Sequence, residues 1–421
     1  MARRSDELRR LVGRLRGVVF WSAVTGILTG LVVVGFEHLS TNEALDAVFR
    51  LPIWAIAVMP LAGLTVAYVM LRYVGSGPSG TTPATSDAYL QAFHGQADLG
   101  WRNGLARMLA SVATIGSGGA MGLEGPSQYA GASIGQGLER WVGRFISADR
   151  RSLLVAGAAA GVGAIFKAPA TGAVFALESP YQDDLARRML LPALVGSASG
   201  YLVLVAFDGT APLLSARGSP PFSGVDLAGA AALGFLAGFG ARLFAWLIGQ
   251  AKRFARRWPG LPRIVVGGVA LGGLFLAGRA LTGRNLVLGP GYDAIRYSLE
   301  NHPALWVLLA LFALRSLATT STVAGGGAGG LFVPLVVAGA LLGQAFQTVV
   351  GGATGLFPIV GVGAFLGAGD RVPLAAVMFI AEATGRPGFV VPGLIAAVAG
   401  ELVMGRSSVT DYQVGAYDSS T

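Results

Sequence analysis

The amino-acid sequence contains two stretches that repeat each other at a fixed distance. Residues 125–136 read GPSQYAGASIGQ and residues 333–344 read VPLVVAGALLGQ, which gives the shared frame P-x3-A-G-A-x2-G-Q at an offset of 208 residues. A second pair, PATGAVFALE at 169–178 and PLAAVMFIAE at 373–382, repeats at an offset of 204 residues. Glycine-rich breaks interrupt the apolar runs in both halves. Matching breaks in two related halves indicate a transport site at the midplane of a membrane.

Composition supports a membrane protein. Of the 421 residues 53% are hydrophobic and 13% charged, and the mean hydropathy is +0.62. A soluble domain carries about 25% charged residues, so lipid must cover part of this apolar surface. The 64 glycines are about twice ordinary usage, and small residues let membrane helices pack closely or break. We predict an all-α polytopic integral membrane protein with two inverted-topology repeats of tilted and re-entrant helices.

Apolar stretches long enough to span all or half of a membrane recur along the chain. They lie near residues 17–36, 52–74, 105–121, 152–178, 189–207, 226–250, 264–282, 304–323, 331–350, 356–382 and 389–404. Those with internal Gly or Pro are expected to be re-entrant half-helices. We divide the chain into a basic N-terminus (1–16), a first membrane repeat (17–207), a linker (208–223), a second membrane repeat (224–405) and a C-terminal tail (406–421).

The charged and metal-binding residue types exclude several functions. The net charge is +9, and six arginines precede the first apolar run. This favours a cytoplasmic N-terminus. We expect the protein to lie in the inner (plasma) membrane with both termini in the cytoplasm. Basic runs are not interleaved with aromatic residues outside the apolar stretches, so no nucleic-acid partner is expected. The chain has no Cys and three scattered His, so neither a metal nor an organic cofactor is expected.

One carboxylate stands out in the first repeat. The segment GSGGAMGLEGP at residues 116–126 places Glu124 between Gly122 and Gly125, just before Pro126. Pro preceded by Gly is typical of a helix start. A carboxylate at membrane depth is costly and is by default a functional hypothesis. The N-terminus of a helix stabilises negative charge and also suits a free anion.

The matching segment of the second repeat has no acid. Residues 328–334 read AGGLFVP, so the N–H groups of Leu331 and Phe332 are left for a ligand. We therefore predict that one half supplies a tethered anion and the other half an anion cradle.

These residues resemble the CLC chloride channels and proton-coupled chloride exchangers, over about residues 52 to 413. GLEGP at 122–126 is similar to the family pattern G-[KR]-E-G-P, and GLFVP at 330–334 to G-x-F-x-P. Residues 157–178 are similar to the segment that follows the family's gating glutamate. The resemblance implies a homodimer with one anion pathway per subunit, in which Glu124 competes with the anion and exchanges protons with the outside. Backbone groups near Gly122, Gly125, Leu331 and Phe332 would bind the anion.

The family's G-S-G-x-P motif is displaced in this chain. A shortened copy, GSGP, begins at Gly75, whereas Thr82-Pro83 makes a better helix start for a predicted helix over 84–94. The expected hydroxyl ligand of the anion is therefore Thr81 or Thr82, with Ser76 as the alternative.

Two further departures concern the inner end of the pathway. Thr410 stands where the family carries a tyrosine, and Tyr412 is the alternative lining residue. Ser179 stands where proton-coupled members often carry a second glutamate, so the internal proton site is lost. Asp183 and Asp184 could substitute for it, but we expect them to be solvated loop acids.

The predicted function is transport of chloride and similar monovalent anions by a gated channel, favoured by Ser179 and Thr410. A chloride/proton antiporter is the first alternative. A fluoride-selective relative is disfavoured because Glu124 is followed by Gly125-Pro126, as in chloride members. The repeated acids Glu178 and Glu382 are expected to be structural, each bonding backbone amides in its own half.

A different class, an intramembrane serine hydrolase, is suggested by G-x-S-x-G at residues 131–135. Its nucleophile would be Ser133. The motif requires a strand, a turn and a helix with a His partner, yet it lies in an apolar run of helical character, so we expect no enzyme.

Overall fold

The computed structural model describes residues 2–75, 85–142, 151–214, 223–351 and 355–415, with side chains from Leu15 onwards. Within these ranges the chain is helical and forms no strand. The α-helices are α1 (Ala2–Glu37), α2 (Asp46–Phe49), α3 (Ile53–Val69), α4 (Asp87–Phe93), α5 (Trp101–Gly116), α6 (Glu124–Val142), α7 (Ser152–Ile165), α8 (Pro169–Glu178), α9 (Leu190–Asp208), α10 (Gly224–Arg257), α11 (Leu261–Thr282), α12 (Tyr292–Asn301), α13 (Leu305–Ala324), α14 (Phe332–Val350), α15 (Leu356–Asp370), α16 (Pro373–Thr384) and α17 (Val390–Met404). The all-α prediction is confirmed.

Eight helical stretches in the described residues are long and apolar enough to cross a membrane. They are Leu15–Phe49, Ile53–Val74, Arg187–Asp208, Gly224–Arg257, Leu261–Thr282, Leu305–Ala324, Phe332–Val350 and Pro387–Met404. Three shorter apolar helices, α7, α15 and α16, are 10–17 residues long. The protein is therefore a multi-pass integral membrane protein that combines full spans with half-length helices, as the sequence predicts.

Two predicted apolar stretches break at equivalent points. The first divides into α7 and α8, and the second divides into α15 and α16. At each break a non-glycine residue has positive φ, 51° at Lys167 and 55° at Arg371. A proline follows two residues later and begins the next helix, where its missing N–H costs no hydrogen bond. The break in each repeat thus comes from the same local backbone geometry.

The equivalent helices α8 and α16 cap each other. The Glu178 carboxylate, at the end of α8, accepts hydrogen bonds from Leu374 N (3.1 Å) and Ala375 N (2.8 Å) at the start of α16. The Glu382 carboxylate accepts from Ala170 N (2.9 Å) and Thr171 N (2.7 Å) at the start of α8. The two helices therefore run in opposite directions, which fits the inverted topology.

This reciprocal arrangement corrects one expectation. Glu178 and Glu382 do bond backbone amides, but each bonds those of the opposite half. The reason is the inversion itself, because it places the acidic end of one helix at the amide-rich start of the other.

Two threonines also join the halves, because each one accepts a hydrogen bond from a backbone amide of the opposite repeat. Thr114 in α5 accepts a hydrogen bond from Ala328 N (3.1 Å), and Thr322 in α13 accepts one from Ala120 N (3.1 Å). The four residues obey the 208-residue offset of the repeat. All four are buried, so the paired threonines hold the two glycine-rich breaks together inside the protein.

We predict that Thr322→Val destabilises the protein, because the buried Ala120 amide loses its acceptor at a cost of about 1–3 kcal/mol. The measurement is the apparent melting temperature in detergent. Thr320→Val is the control, since among the residues described the Thr320 hydroxyl bonds within its own helix, to Ser316 O at 2.8 Å. Equal melting temperatures for the two variants would contradict a bracing role for Thr322.

Candidate functional site

The two glycine-rich breaks meet at a single pair of glycines. Gly122 N donates to Gly330 O at 2.9 Å, and Gly330 N donates to Gly122 O at 2.7 Å. This isolated antiparallel bridge joins equivalent positions of the two repeats, 208 residues apart. It brings the starts of α6 and α14 together in the interior.

Glu124 is the first residue of α6, and its side chain lies at the start of α14. Glu124 is 1% exposed. Its Oε1 accepts hydrogen bonds from Phe332 N at 2.7 Å and from Val333 N at 3.4 Å. Its Oε2 is buried and has no hydrogen-bond partner within the described ranges. The tethered anion of the first half therefore lies in the predicted cradle of the second half.

The cradle is shifted by one residue from the predicted pair. Phe332 donates as predicted, but the second donor is Val333 rather than Leu331. Leu331 is the N-cap residue of α14, and its carbonyl accepts from Leu335 N. The free N–H groups that point out of a helix belong to the first residues inside it, which here are Phe332 and Val333.

Three glycines make room for the carboxylate. A Cβ atom at Gly122 or at Gly330 would overlap the Glu124 carboxylate. A Cβ atom at Gly125 would come within 3.0 Å of Gly330 Cα. The predicted site residues Gly122 and Gly125 thus lie at this point, although as sources of space rather than as hydrogen-bond donors to Glu124.

Aromatic rings surround the other side of the cradle. The Phe332 ring stacks on Phe166 with centroids 4.4 Å apart, and it meets Phe379 at 5.0 Å and Phe175 at 5.3 Å. All four rings are buried. The main chain of Phe332 therefore binds the carboxylate while its side chain anchors the start of α14 in the core.

The predicted inner residues lie near the start of α4. Thr410 is half-buried, and its hydroxyl is 2.8 Å from Ser408 Oγ. Asp411 N donates to Asp87 Oδ1 at 3.2 Å, which places Thr410 next to α4. Tyr412 is 38% exposed. Thr81, Thr82 and Ser76 fall outside the described residues. The helix predicted over 84–94 is observed as α4, Asp87–Phe93, which is preceded by a bend at Thr85 and a turn at Ser86.

A buried lysine that the sequence did not single out, Lys252, lies beside the start of α4. Lys252 Nζ donates to Asp87 Oδ2 at 2.7 Å and to Val409 O at 2.9 Å, and lies 3.3 Å from Asp411 Oδ2. These contacts fasten residues 409–411 to α4. Lys252 is one of only two lysines in the chain and follows a long apolar run, a signal that could have identified it.

Ser179 and the acids that follow it occupy different environments. Ser179 is 4% exposed, and its hydroxyl is buried without a partner among the residues described. The side chain of Asp183 is 63% exposed and pairs with Arg371 at 2.8 Å. The side chain of Asp184 is 46% exposed. The two aspartates are thus solvent-accessible loop acids, as expected.

The hydrolase alternative does not fit the fold. Ser133 lies inside α6, and its hydroxyl donates to Leu99 O at 3.1 Å. Residues 117–123, which precede α6, contain a single bridge and no strand. The strand–turn–helix that would present a nucleophilic serine is therefore missing at this motif.

The sequence and the fold of this chain are similar to those of known membrane transport proteins. The H(+)/Cl(−) exchange transporter ClcA of Citrobacter koseri is 28% identical over 426 residues, which cover 95% of this chain and 89% of that protein. Among solved structures, a CLC-type fluoride/proton antiporter has a TM-score of 0.81 at 23% identity and covers 96% of this chain and 98% of that one. A slow cyanobacterial Cl−/H+ antiporter has a TM-score of 0.80 at 21% identity, with coverages of 92% and 94%. These two structures share the fold of this chain.

Two inverted halves of broken helices around a buried acid define a membrane transport protein. The family model described as voltage gated chloride channel matches residues 62–405, which is most of the chain. The chain belongs to this voltage-gated chloride channel (CLC) family, whose members are anion transporters rather than enzymes.

We predict that Gly330→Ala reduces anion flux to the level of empty vesicles, because the added methyl group fills the space that a carboxylate or an anion needs at α14. The measurement is anion efflux from vesicles that contain the purified protein. Gly273→Ala is the control, since a Cβ there meets no atom within 4 Å. Normal flux in Gly330→Ala would show that the cradle is not on the pathway.

Proposed function

We propose that this chain exchanges chloride or a similar monovalent anion for protons, with Glu124 as the gate. Two hydrogen bonds carry the proposal: the Phe332 and Val333 amides at the start of α14 donate to the Glu124 carboxylate. A carboxylate and a monovalent anion require the same donors there. Only one of them can occupy the cradle at a time.

Protonation of Glu124 would exchange the two occupants. The ionised carboxylate makes charge-assisted hydrogen bonds to the amides, and these weaken when the acid becomes neutral. The neutral side chain then leaves the cradle and an anion takes its place. When the anion departs and the proton is released, the carboxylate returns. Glu124 thus takes up one proton each time the gate opens.

Main-chain donors suit an anion that must also leave. The contacts at the cradle come from backbone N–H groups, which carry partial charges. A cationic side chain at the same place would bind an anion too tightly for rapid exit. We expect chloride to be preferred over fluoride, because Gly125-Pro126 follows Glu124 and ClcA is named as a chloride exchanger.

Exchange replaces the channel as the favoured mode for two reasons. A buried carboxylate closes the cradle, and ClcA of Citrobacter koseri, which is named as an exchanger, matches 95% of this chain. A passive gated channel is the second candidate. Ser179 favours it, since this residue cannot carry a proton where a second glutamate is expected.

We further propose a homodimer in the inner membrane with both termini in the cytoplasm. Six arginines before the first span support this orientation. Arg256 and Arg257 at the end of α10 support it as well, and the Lys252–Asp411 contact holds the C-terminal segment at that same end of α10.

We predict that a chloride gradient drives protons uphill in vesicles with the wild-type protein, whereas Glu124→Gln moves chloride without protons because the amide cannot titrate. Chloride efflux and external pH are recorded together. Glu300→Gln, an exposed acid on α12, is the control and is expected to behave like the wild type. Chloride flux without any proton movement in the wild type would support the passive channel instead.

We also predict that wild-type chloride flux rises as the pH is lowered, because protonation removes the charge with which Glu124 holds the cradle. The Glu124→Gln flux should be independent of pH. Initial rates at several symmetric pH values test this. A parallel rise in both proteins would mean that another group controls access.

A further inference from the structure

We propose that Asp370 is the internal proton acceptor of this chain, which takes protons from the cytoplasmic side and passes them to Glu124. The inference rests on the exchange function proposed above. It concerns a residue that the sequence reasoning did not select, and it supplies the relay that Ser179 cannot provide.

Asp370 lies at the break between α15 and α16. It ends α15, is 4% exposed and precedes Arg371, which has φ of 55°. Gln413 Nε2 donates a hydrogen bond to the main-chain carbonyl of Asp370 at 2.9 Å. A buried carboxylate in a membrane protein is costly and calls for a function.

The repeat symmetry pairs Asp370 with Glu124. The equivalent of Asp370 in the first half is Phe166, and the equivalent of Glu124 in the second half is Phe332. Phe166 and Phe332 are stacked with centroids 4.4 Å apart. Under the inverted repeat, the Phe166–Phe332 pair maps onto the positions of Asp370 and Glu124, so each half contributes one phenylalanine and one acid.

Charged groups on several helices face this region. Asp370 interacts electrostatically with Asp87 on α4 and Lys252 on α10, and with Glu178 on α8. The next residue, Arg371, pairs with Asp183 at 2.8 Å and with Glu401 on α17 at 3.1 Å. Asp370 is thus within electrostatic range of the Lys252 cluster at the proposed cytoplasmic end.

A buried polar group next to Asp370 is left without a partner. Gln413 Nε2 donates to the carbonyls of both Ser179 (3.1 Å) and Asp370 (2.9 Å), so these two main chains are neighbours. The Ser179 hydroxyl, in a residue 4% exposed, has no hydrogen-bond partner within the described ranges. A buried hydroxyl without a partner, on a main chain next to that of Asp370, is suited to bind a water molecule that delivers a proton.

The proposed step moves one proton and leaves Asp370 unchanged. A hydronium ion on the cytoplasmic side protonates the Asp370 carboxylate and becomes water. Neutral Asp370 then gives the proton to the Glu124 carboxylate, which becomes neutral and leaves the cradle. Asp370 returns to its ionised form, ready for the next cycle.

The test is chloride-driven proton movement in vesicles containing Asp370→Asn. We expect proton flux to fall at least about tenfold, while chloride flux stays close to that of the wild type. Asp370→Glu should restore proton flux, since it can titrate. Asp184→Asn, an exposed neighbouring acid, is the control and should leave both fluxes unchanged.

Three results would overturn the inference. Wild-type proton flux in Asp370→Asn would do so while leaving the exchange function intact. An equal fall of chloride and proton flux that Asp370→Glu does not reverse would assign a structural role to the residue. A wild-type protein that moves no protons would overturn both the inference and the proposed exchange.

Discussion

Hydrogen bonds that cross between the two repeats hold the broken helices of this protein together. The Gly122–Gly330 bridge and the caps made by Glu178 and Glu382 join each half to the other. Such crossing is possible because the halves are inverted, so the polar ends of equivalent helices meet. Broken helices would otherwise bury unsatisfied amides, which is costly away from water.

Function arises where this symmetry is broken. Glu124 and Phe332 occupy one pair of equivalent positions, and Asp370 and Phe166 occupy another. The phenylalanines pack together and fix the start of α14. The Glu124 carboxylate uses the amides that this packing positions. A symmetric chain with phenylalanine at both sites would place no carboxylate on the amides at the start of α14.

The sequence predicts the fold class, the repeats and the acid buried between them because these depend on local patterns. Periodicity, composition and glycine spacing reveal helices and their breaks, and a lone acid between glycines identifies Glu124. The contacts of Glu178 and Glu382 were assigned to the wrong halves, since crossing is a property of the assembled protein. Val333 rather than Leu331 is the second amide donor to Glu124 because α14 begins at Phe332, and the sequence does not fix that start to a single residue. Lys252 and Asp370 were missed because their partners lie more than 40 residues away.

The most direct measurement of the central idea is the position of a bound halide in a crystal of Glu124→Ala grown with bromide. We predict an anomalous peak within hydrogen-bond distance of Phe332 N and Val333 N, where the carboxylate lies in the wild type. Bromide bound elsewhere in the protein, with these two amides left without a halide, would contradict it.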